Sequence, residues 1–338
     1  MADIVLDKVN LWYGKTHALK DISFTLRENT ICGLLGRNGA GKTSLMALLA
    51  SYRPASSGSL TYGGQTIFNN PEVMPQIAFI RNRNEAGSGS KVKEYLHTWA
   101  KFRPDWDEAY AEKLICDFEI PENKAMNALS LGMQATVRGI LGLASRCPVT
   151  LYDEAYFGMD AVVRKRFIGE ILEDYMRYPR TILFSTHFIG EVENMLEEVL
   201  VLSDGNILLH EESDSLRSKG ITLTGDVAAV DKMVAALDAK LLSERFLGNQ
   251  KEVVLFGTPS EAQKMQIDGL GLKLSQPSLQ DLFIHITEKE PVKKDAAEKS
   301  SAKKDSAKNK DSADTGYDEK NVAEKDAAKN ILPFDKAS

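Results

Sequence analysis

The chain has 338 residues, 43% of them hydrophobic, with a formal net charge of -6 and a pI near 5.6. That length suggests about two domains with enough apolar residues for buried cores, and the acidic balance argues against a general nucleic-acid binder. The three cysteines, Cys32, Cys116 and Cys147, are odd in number and lack C-x-x-C spacing, which argues against a zinc site and fits a reduced, intracellular setting with each thiol a small core residue.

Along the chain, "MADIVLDKVNLWYG" has no basic region followed by an apolar one, so no secretion signal is expected. Nowhere do about eighteen apolar residues run together, as a membrane-spanning helix needs. If the protein serves a membrane process, another chain must cross the bilayer. Residues 3–13 and 18–26 alternate like strands of an antiparallel layer. "TICGLLG" is a continuous apolar run, as in a buried parallel strand, and "KTSLMALLASY" reads as a helix. Residues 90–120 are helical in pattern, broken at Pro104. "CPVTLYDE", "RTILFSTH" and "EEVLVLSDGNILLHE" are three further strand candidates. Helical patterns lie between the first two pairs, so residues 1–215 are expected to form one α/β domain with a mainly parallel core sheet.

Residues 221–287 read as β-α-β-β-α-β, a split βαβ accessory domain of the ferredoxin-like kind. From residue 288 to 338 the text turns to Lys, Asp, Glu, Ala and Ser with little to bury. Such a segment cannot offset the entropy of ordering and is expected to be a disordered charged tail. Its last residues, "ILPFDKAS", are a small apolar island, read as a solvated end or a docking peptide.

The chemistry begins at Gly36-Arg37-Asn38-Gly39-Ala40-Gly41-Lys42-Thr43-Ser44, which fits G-x-x-x-x-G-K-[ST] between an apolar strand and a helix. The glycines let backbone N–H groups turn toward phosphate oxygens, and the helix N-terminus adds partial positive charge. Lys42 is expected to reach the β- and γ-phosphates, and the Thr43 hydroxyl to bind Mg²⁺. Such a loop needs an acidic partner for the metal. "PVTLYDE" supplies Asp153 at a strand end, followed by Glu154, placed to polarise water at the γ-phosphate. In "NALSLGMQATVRG", Ser130 and Gly132 sit just before a helix, either as an ordinary N-cap or as a second anion site. Two such ends on one chain need not face one another, so a head-to-tail pair of chains would let each sandwich the other's nucleotide.

In this order the motifs resemble the ATP-binding subunits of ABC transporters, across roughly residues 3–210. "GRNGAGKTS" looks like their Walker A and "TLYDE" like their Walker B. "LSLGM" stands in place of the LSGGQ signature, "YFGMD" resembles the D-loop with Asp160 at its end, and "FSTH" resembles the H-loop with His187. Tyr13, in "LWYG", sits where the family stacks an aromatic ring on adenine. The resemblance implies a dimer closing around ATP and Mg²⁺, with Ser130 and Gly132 of the facing subunit over the γ-phosphate. In it Glu154 orients or deprotonates water, and His187 completes the site. Asn82 replaces the family's usual Gln and is one methylene shorter. Leu131 and Met133 stand where Gly and Gln are commonest, and Ala155 replaces the usual Pro.

The helical region and the terminal "PSLQDLFIHIT" are similar to the branch that works with separate permease chains, often for drug, peptide or lipid export. The resemblance thus implies an ATPase at the cytoplasmic face of the membrane, a transmembrane permease on its own chain and a second ATP-binding subunit, identical or not. The family docks its permease on the stretch from about Lys91 to Ile120. Trp99, Phe102 and Trp106 line that cleft or belong to the core, with the core favoured. The alternative is a soluble ABC-type ATPase acting on ribosomes or another macromolecular complex. Against it, ribosome-acting relatives usually carry two such domains in one chain, and this chain has one phosphate loop.

Overall fold

A computed structural model describes residues 2–82 and 89–287; the expected tail, 288–338, lies outside the described residues. Two long strands open the chain, β1 (Ile4–Tyr13) and β2 (Thr16–Leu26), followed by β3 (Ile31–Gly36) and helix α1 (Lys42–Leu49). Next come β4 (Ser57–Tyr62), β5 (Gln65–Thr66) and β6 (Ile77–Arg81). Three helices follow, α2 (Val92–Ala100), α3 (Glu108–Asp117) and α4 (Leu131–Ala144). The break at Pro104 falls between α2 and α3, as the sequence predicts. Then come β7 (Val149–Asp153), α5 (Ala161–Arg177), β8 (Thr181–Ser185), α6 (Ile189–Val192), β9 (Glu198–Ser203) and β10 (Asn206–Glu212).

The central sheet runs β10-β9-β3-β8-β7-β6, parallel throughout except for β10. Strands β3, β7 and β8 are buried along their whole length, which is why β3 reads as an unbroken apolar run. Beside it lies an antiparallel layer in the order β2-β1-β4-β5. Its last two members come from the Ser- and Gly-rich "SGSLTYGGQT", which offers little strand pattern to read. "EEVLVLSDGNILLHE", read as one strand, is a hairpin. Asp204 and Gly205 form its two-residue turn with φ of 49° and 79°, the geometry that Asp-Gly favours.

The remaining elements are α7 (Ser213–Ser218), β11 (Gly220–Asp226), α8 (Val227–Ala236), β12 (Lys240–Leu247), β13 (Gln250–Phe256), α9 (Glu261–Gly269), β14 (Lys273–Ser275) and α10 (Leu279–Thr287). The third sheet is antiparallel in the order β12-β13-β11-β14, the split βαβ topology, with a core of its own around Leu223, Val230, Val253 and Ile267. Helix α10 instead returns to the first core, burying Leu279 and Leu282 there, and the Leu279 N–H donates to Glu193 Oε2 at 2.8 Å.

Two charge networks tie distant segments. Glu198 accepts from Arg27 and pairs with His210 at 2.9 Å, fastening β2 to the β9–β10 hairpin. The Cys32 thiol lies beside this pair, and burial pushes its pKa up. Cys147 is also buried, but Cys116 is exposed and is not the core residue expected. The second network centres on Asp174 of α5. It pairs with Arg146 and with Arg180, the latter at 2.7 Å, and Arg146 reaches on to Asp107 at 2.9 Å. The rings of Tyr110 and Tyr178 lie 4.4 and 4.1 Å from the Arg146 guanidinium carbon. Trp99 and Trp106 are half-buried against the core, as favoured, whereas Phe102 is 71% exposed.

Asp174→Ala leaves the buried Arg180 guanidinium without its carboxylate and Arg146 with Asp107 alone. The expected cost is about 3–5 kcal/mol in denaturant unfolding. A loss below about 1 kcal/mol, the scale of a surface pair, would contradict this role.

Candidate functional site

A cavity of about 640 Å³ opens beyond the carboxyl ends of the parallel strands, the usual place for a ligand in an open α/β sheet. Asn38, Gly39, Gly41, Lys42, Thr43 and Ser44 line one side of it, and Asn82, Asp153 and Glu154 another. The loop between β3 and α1 reaches this place because Gly39 and Gly41 take φ of 82° and 108°. A Cβ on Gly41 would also stand 3.0 Å from the Ala18 carbonyl oxygen. Gly36, Arg37 and Ala40 support the loop from behind. The Ala40 N–H donates to the Arg37 carbonyl at 3.1 Å, and the Ala40 carbonyl accepts from Gly205 at 3.1 Å.

Lys42 is buried, and its Nζ donates to the carbonyls of Gly36 at 2.7 Å and Arg37 at 3.2 Å. Burial lowers its pKa, against the pull of Glu154 and Asp153. Asp153, also buried, has its pKa raised by burial, partly offset by hydrogen bonds from the Thr43 and Ser185 hydroxyls. The Ser185 bond is 3.2 Å. A cation and a carboxylate are thus both held at a cost to their charged forms, the mark of a site built for a charged ligand.

Glu154 has a φ of 49°, strained for a residue with a side chain, and its N–H donates to the Ser185 carbonyl at 3.2 Å. That turn aims its carboxylate into the cavity. His187, after β8, places Nδ1 3.4 Å from Glu154 Oε1. The imidazole is not part of the cavity wall; it meets the cavity through Glu154. Asn82 lies on the wall, its N–H bonded to the Asp153 carbonyl at 3.0 Å.

The remaining predicted residues stand apart. Tyr13, at the end of β1, lies under the Arg53 guanidinium at 4.6 Å and is not in the cavity wall. Its neighbour Trp12 stacks on His17 with ring centroids 3.8 Å apart, and His17 does line the cavity. Ser130 is the N-cap of α4, its hydroxyl accepting from the Met133 N–H at 3.2 Å. The helix therefore starts at Leu131, and Gly132 lies inside it rather than before it. A Cβ on Gly132 would stand 2.8 Å from the Gly158 carbonyl, so the glycine allows the signature segment to touch the loop that ends at Asp160. Asp160 in turn caps α5, accepting from Val162 and Val163 at 2.9 Å. None of Ser130, Gly132 and Asp160 lines the cavity of their own chain.

Sequence reading missed the far wall of Thr16, His17, Lys20, Asp204 and Gly205. The signal for the last two was the Asp-Gly turn. A Cβ on Gly205 would stand 2.6 Å from the Ala18 carbonyl, and the Lys20 N–H donates to the Gly205 carbonyl at 2.8 Å. The hairpin tip is thereby locked to both β2 and the phosphate loop.

A parallel α/β sheet, a glycine-rich loop opening a helix and a carboxylate pair facing its lysine define a P-loop nucleotide-binding protein. The ABC transporter family profile matches residues 19–156. The ABC transporter ATP-binding protein YtrB of Bacillus subtilis (strain 168) is 30% identical over 205 residues, 61% of this chain and 70% of that protein. NatA, of the same description and organism, is 27% identical over 206 residues, 59% of this chain and 83% of that one. A solved ATP-binding subunit of an ABC transporter superposes with a TM-score of 0.57 at 20% identity, over 63% of this chain and 91% of that one. The chain belongs to the ABC transporter family, among its ATP-binding proteins. Among the described residues no helix is long and apolar enough to cross a membrane.

The raised pKa of Asp153 has a consequence for stability. Its carboxyl holds a proton more tightly folded than unfolded, so stability falls as pH rises from the unfolded toward the folded pKa. Above that window the full cost remains. Asp153→Asn is therefore expected to raise the nucleotide-free melting midpoint at neutral pH by a few degrees. A lowered midpoint would contradict the reading of Asp153 as a strained functional group.

Proposed function

We propose that the chain is the ATP-hydrolysing subunit of an ABC transporter, that two such subunits close around ATP, and that they drive a permease carried on a separate chain. The observation that carries this reading is the division of the phosphate-seeking groups. The loop, Lys42, Asp153 and Glu154 gather at one cavity, while Ser130, Gly132 and Asp160 lie together elsewhere on the same chain. Leu131 beside them is 63% exposed. A second subunit, identical or homologous, is needed to bring its signature helix over the first subunit's nucleotide.

Within the closed site each group has a defined task. Backbone N–H groups of residues 39–44 and the start of α1 hold the phosphates, with Lys42 across them. Thr43, Asp153 and Asn82 offer a hydroxyl, a carboxylate and an amide oxygen, the hard donors that suit Mg²⁺. Bound there, Mg²⁺ would neutralise charge on the β- and γ-phosphate oxygens. Glu154 accepts a proton from the attacking water or orients it, and His187 fixes the Glu154 carboxylate and approaches the γ-phosphate. Tyr13 supplies a ring for adenine at the rim, which requires it to leave Arg53. ATP binding then draws the subunits together and hydrolysis lets them part.

The permease is expected to seat in the cleft between the sheet and the helical region, walled by Tyr52, Phe79, Tyr95 and Trp99. Phe102 and Tyr52, 71% and 60% exposed, give that face apolar anchors. The proposed location is the cytoplasmic face of the membrane, through that partner, and the proposed task is export of a drug, peptide or lipid. Residues 1–215 are the proposed ATP-binding domain. Residues 221–287 are the proposed accessory domain, with a core of its own and tethered through α10.

Glu154→Gln keeps the shape of the site and removes its base. ATP binding, measured by calorimetry, is expected to persist while turnover falls about a hundredfold or more. Turnover at the wild-type rate would remove Glu154 from the mechanism.

A further inference from the structure

Arg81, the last residue of β6, has no part in the mechanism above. Its register partner on β7 is Asp153, so the backbone brings it to the mouth of the nucleotide cavity. Arg81 lines that cavity with Lys42, Thr43 and Glu154, and also lines the cleft walled by Tyr52 and Trp99. The guanidinium carbon lies 5.4 Å from the centre of the Phe79 ring. Among the described residues it makes no hydrogen bond or ion pair. Its charge favours the ionised form of Asp153 without bonding to it.

A guanidinium carries five N–H donors and never loses its charge in a protein. Resting over a phenyl ring is a weak hold that leaves those donors unused. With space on both sides, the side chain can change position by rotating about its own bonds, without moving the strand. A terminal phosphate seated near Asp153 and Glu154 faces two carboxylates, and among the groups assigned above Lys42 is the protein's single cation against that charge. The planar fork of an arginine matches two phosphate oxygens at once.

We propose that Arg81 leaves the Phe79 ring for the terminal phosphate of the bound nucleotide and, with Lys42, sets the preference for a triphosphate over a diphosphate. The inference rests on the cavity being the ATP site. Its role is substrate binding, and it is distinct from Asn82, the neighbour assigned to the metal.

Calorimetry on the full chain with Mg²⁺ tests it, using ADP and a non-hydrolysable ATP analogue. Arg81→Ala is expected to weaken the analogue about ten- to a hundredfold, the worth of a charged hydrogen-bonded pair, and to change ADP binding less than about twofold. Arg81→Lys, which keeps the charge and loses the fork, is expected to fall between. Equal weakening of both nucleotides would show a merely structural role and overturn the inference, as would no change in either. In those cases wild-type binding of the analogue still supports the cavity reading. A wild-type chain that binds neither nucleotide would overturn both.

Discussion

The structure turns on holding a buried lysine and a buried aspartate at the same end of one parallel sheet. Lys42 follows β3, Asp153 ends β7, and Ser185 at the end of β8 stands between them and bonds the carboxylate. Burial works against the charge on both groups. The protein tolerates this because the strands beneath are buried along their whole length and the loop carbonyls of Gly36 and Arg37 accept hydrogen bonds from the lysine. A site whose own groups are incompletely compensated gains most when a phosphate and a divalent cation complete it.

Around that pair the fold fixes what has to be fixed and leaves the rest apart. The Asp-Gly tip of the β9–β10 hairpin packs on the Ala18 carbonyl and braces the phosphate loop, so the loop is held from two sides. The signature helix is anchored elsewhere, through the close approach of Gly132 to Gly158 and the cap at Asp160. In the proposed mechanism this separation is the reason one chain is insufficient: its second anion-binding helix end does not wall its own nucleotide cavity.

Much of this was legible in the sequence because it depends on local rules. The phosphate loop, the Asp153–Glu154 pair and the buried strands follow from residue type and unbroken apolar runs, and the β-α-β-β-α-β order of the last unit follows from periodicity. What escaped depends on tertiary context. β4 and β5 are Ser- and Gly-rich and become strands by pairing, β4 with β1 and β5 with β4. α10 looks like one more amphipathic helix, and nothing local says that it returns to the first core. Ser130 was rightly placed before the helix, but Gly132 was not, because the Ser130 hydroxyl caps Met133 and Leu131 and Gly132 already belong to the helix. Tyr13 was read through the family resemblance alone, and nothing local says that Arg53 covers it.

The central claim is that ATP joins two chains because neither surrounds it alone. Specific ATP turnover measured across a wide dilution series tests this most directly. It is expected to fall as the chain is diluted below its association midpoint and to level off when concentrated. Turnover per chain that stays constant down to a concentration where only single chains are detected would contradict it.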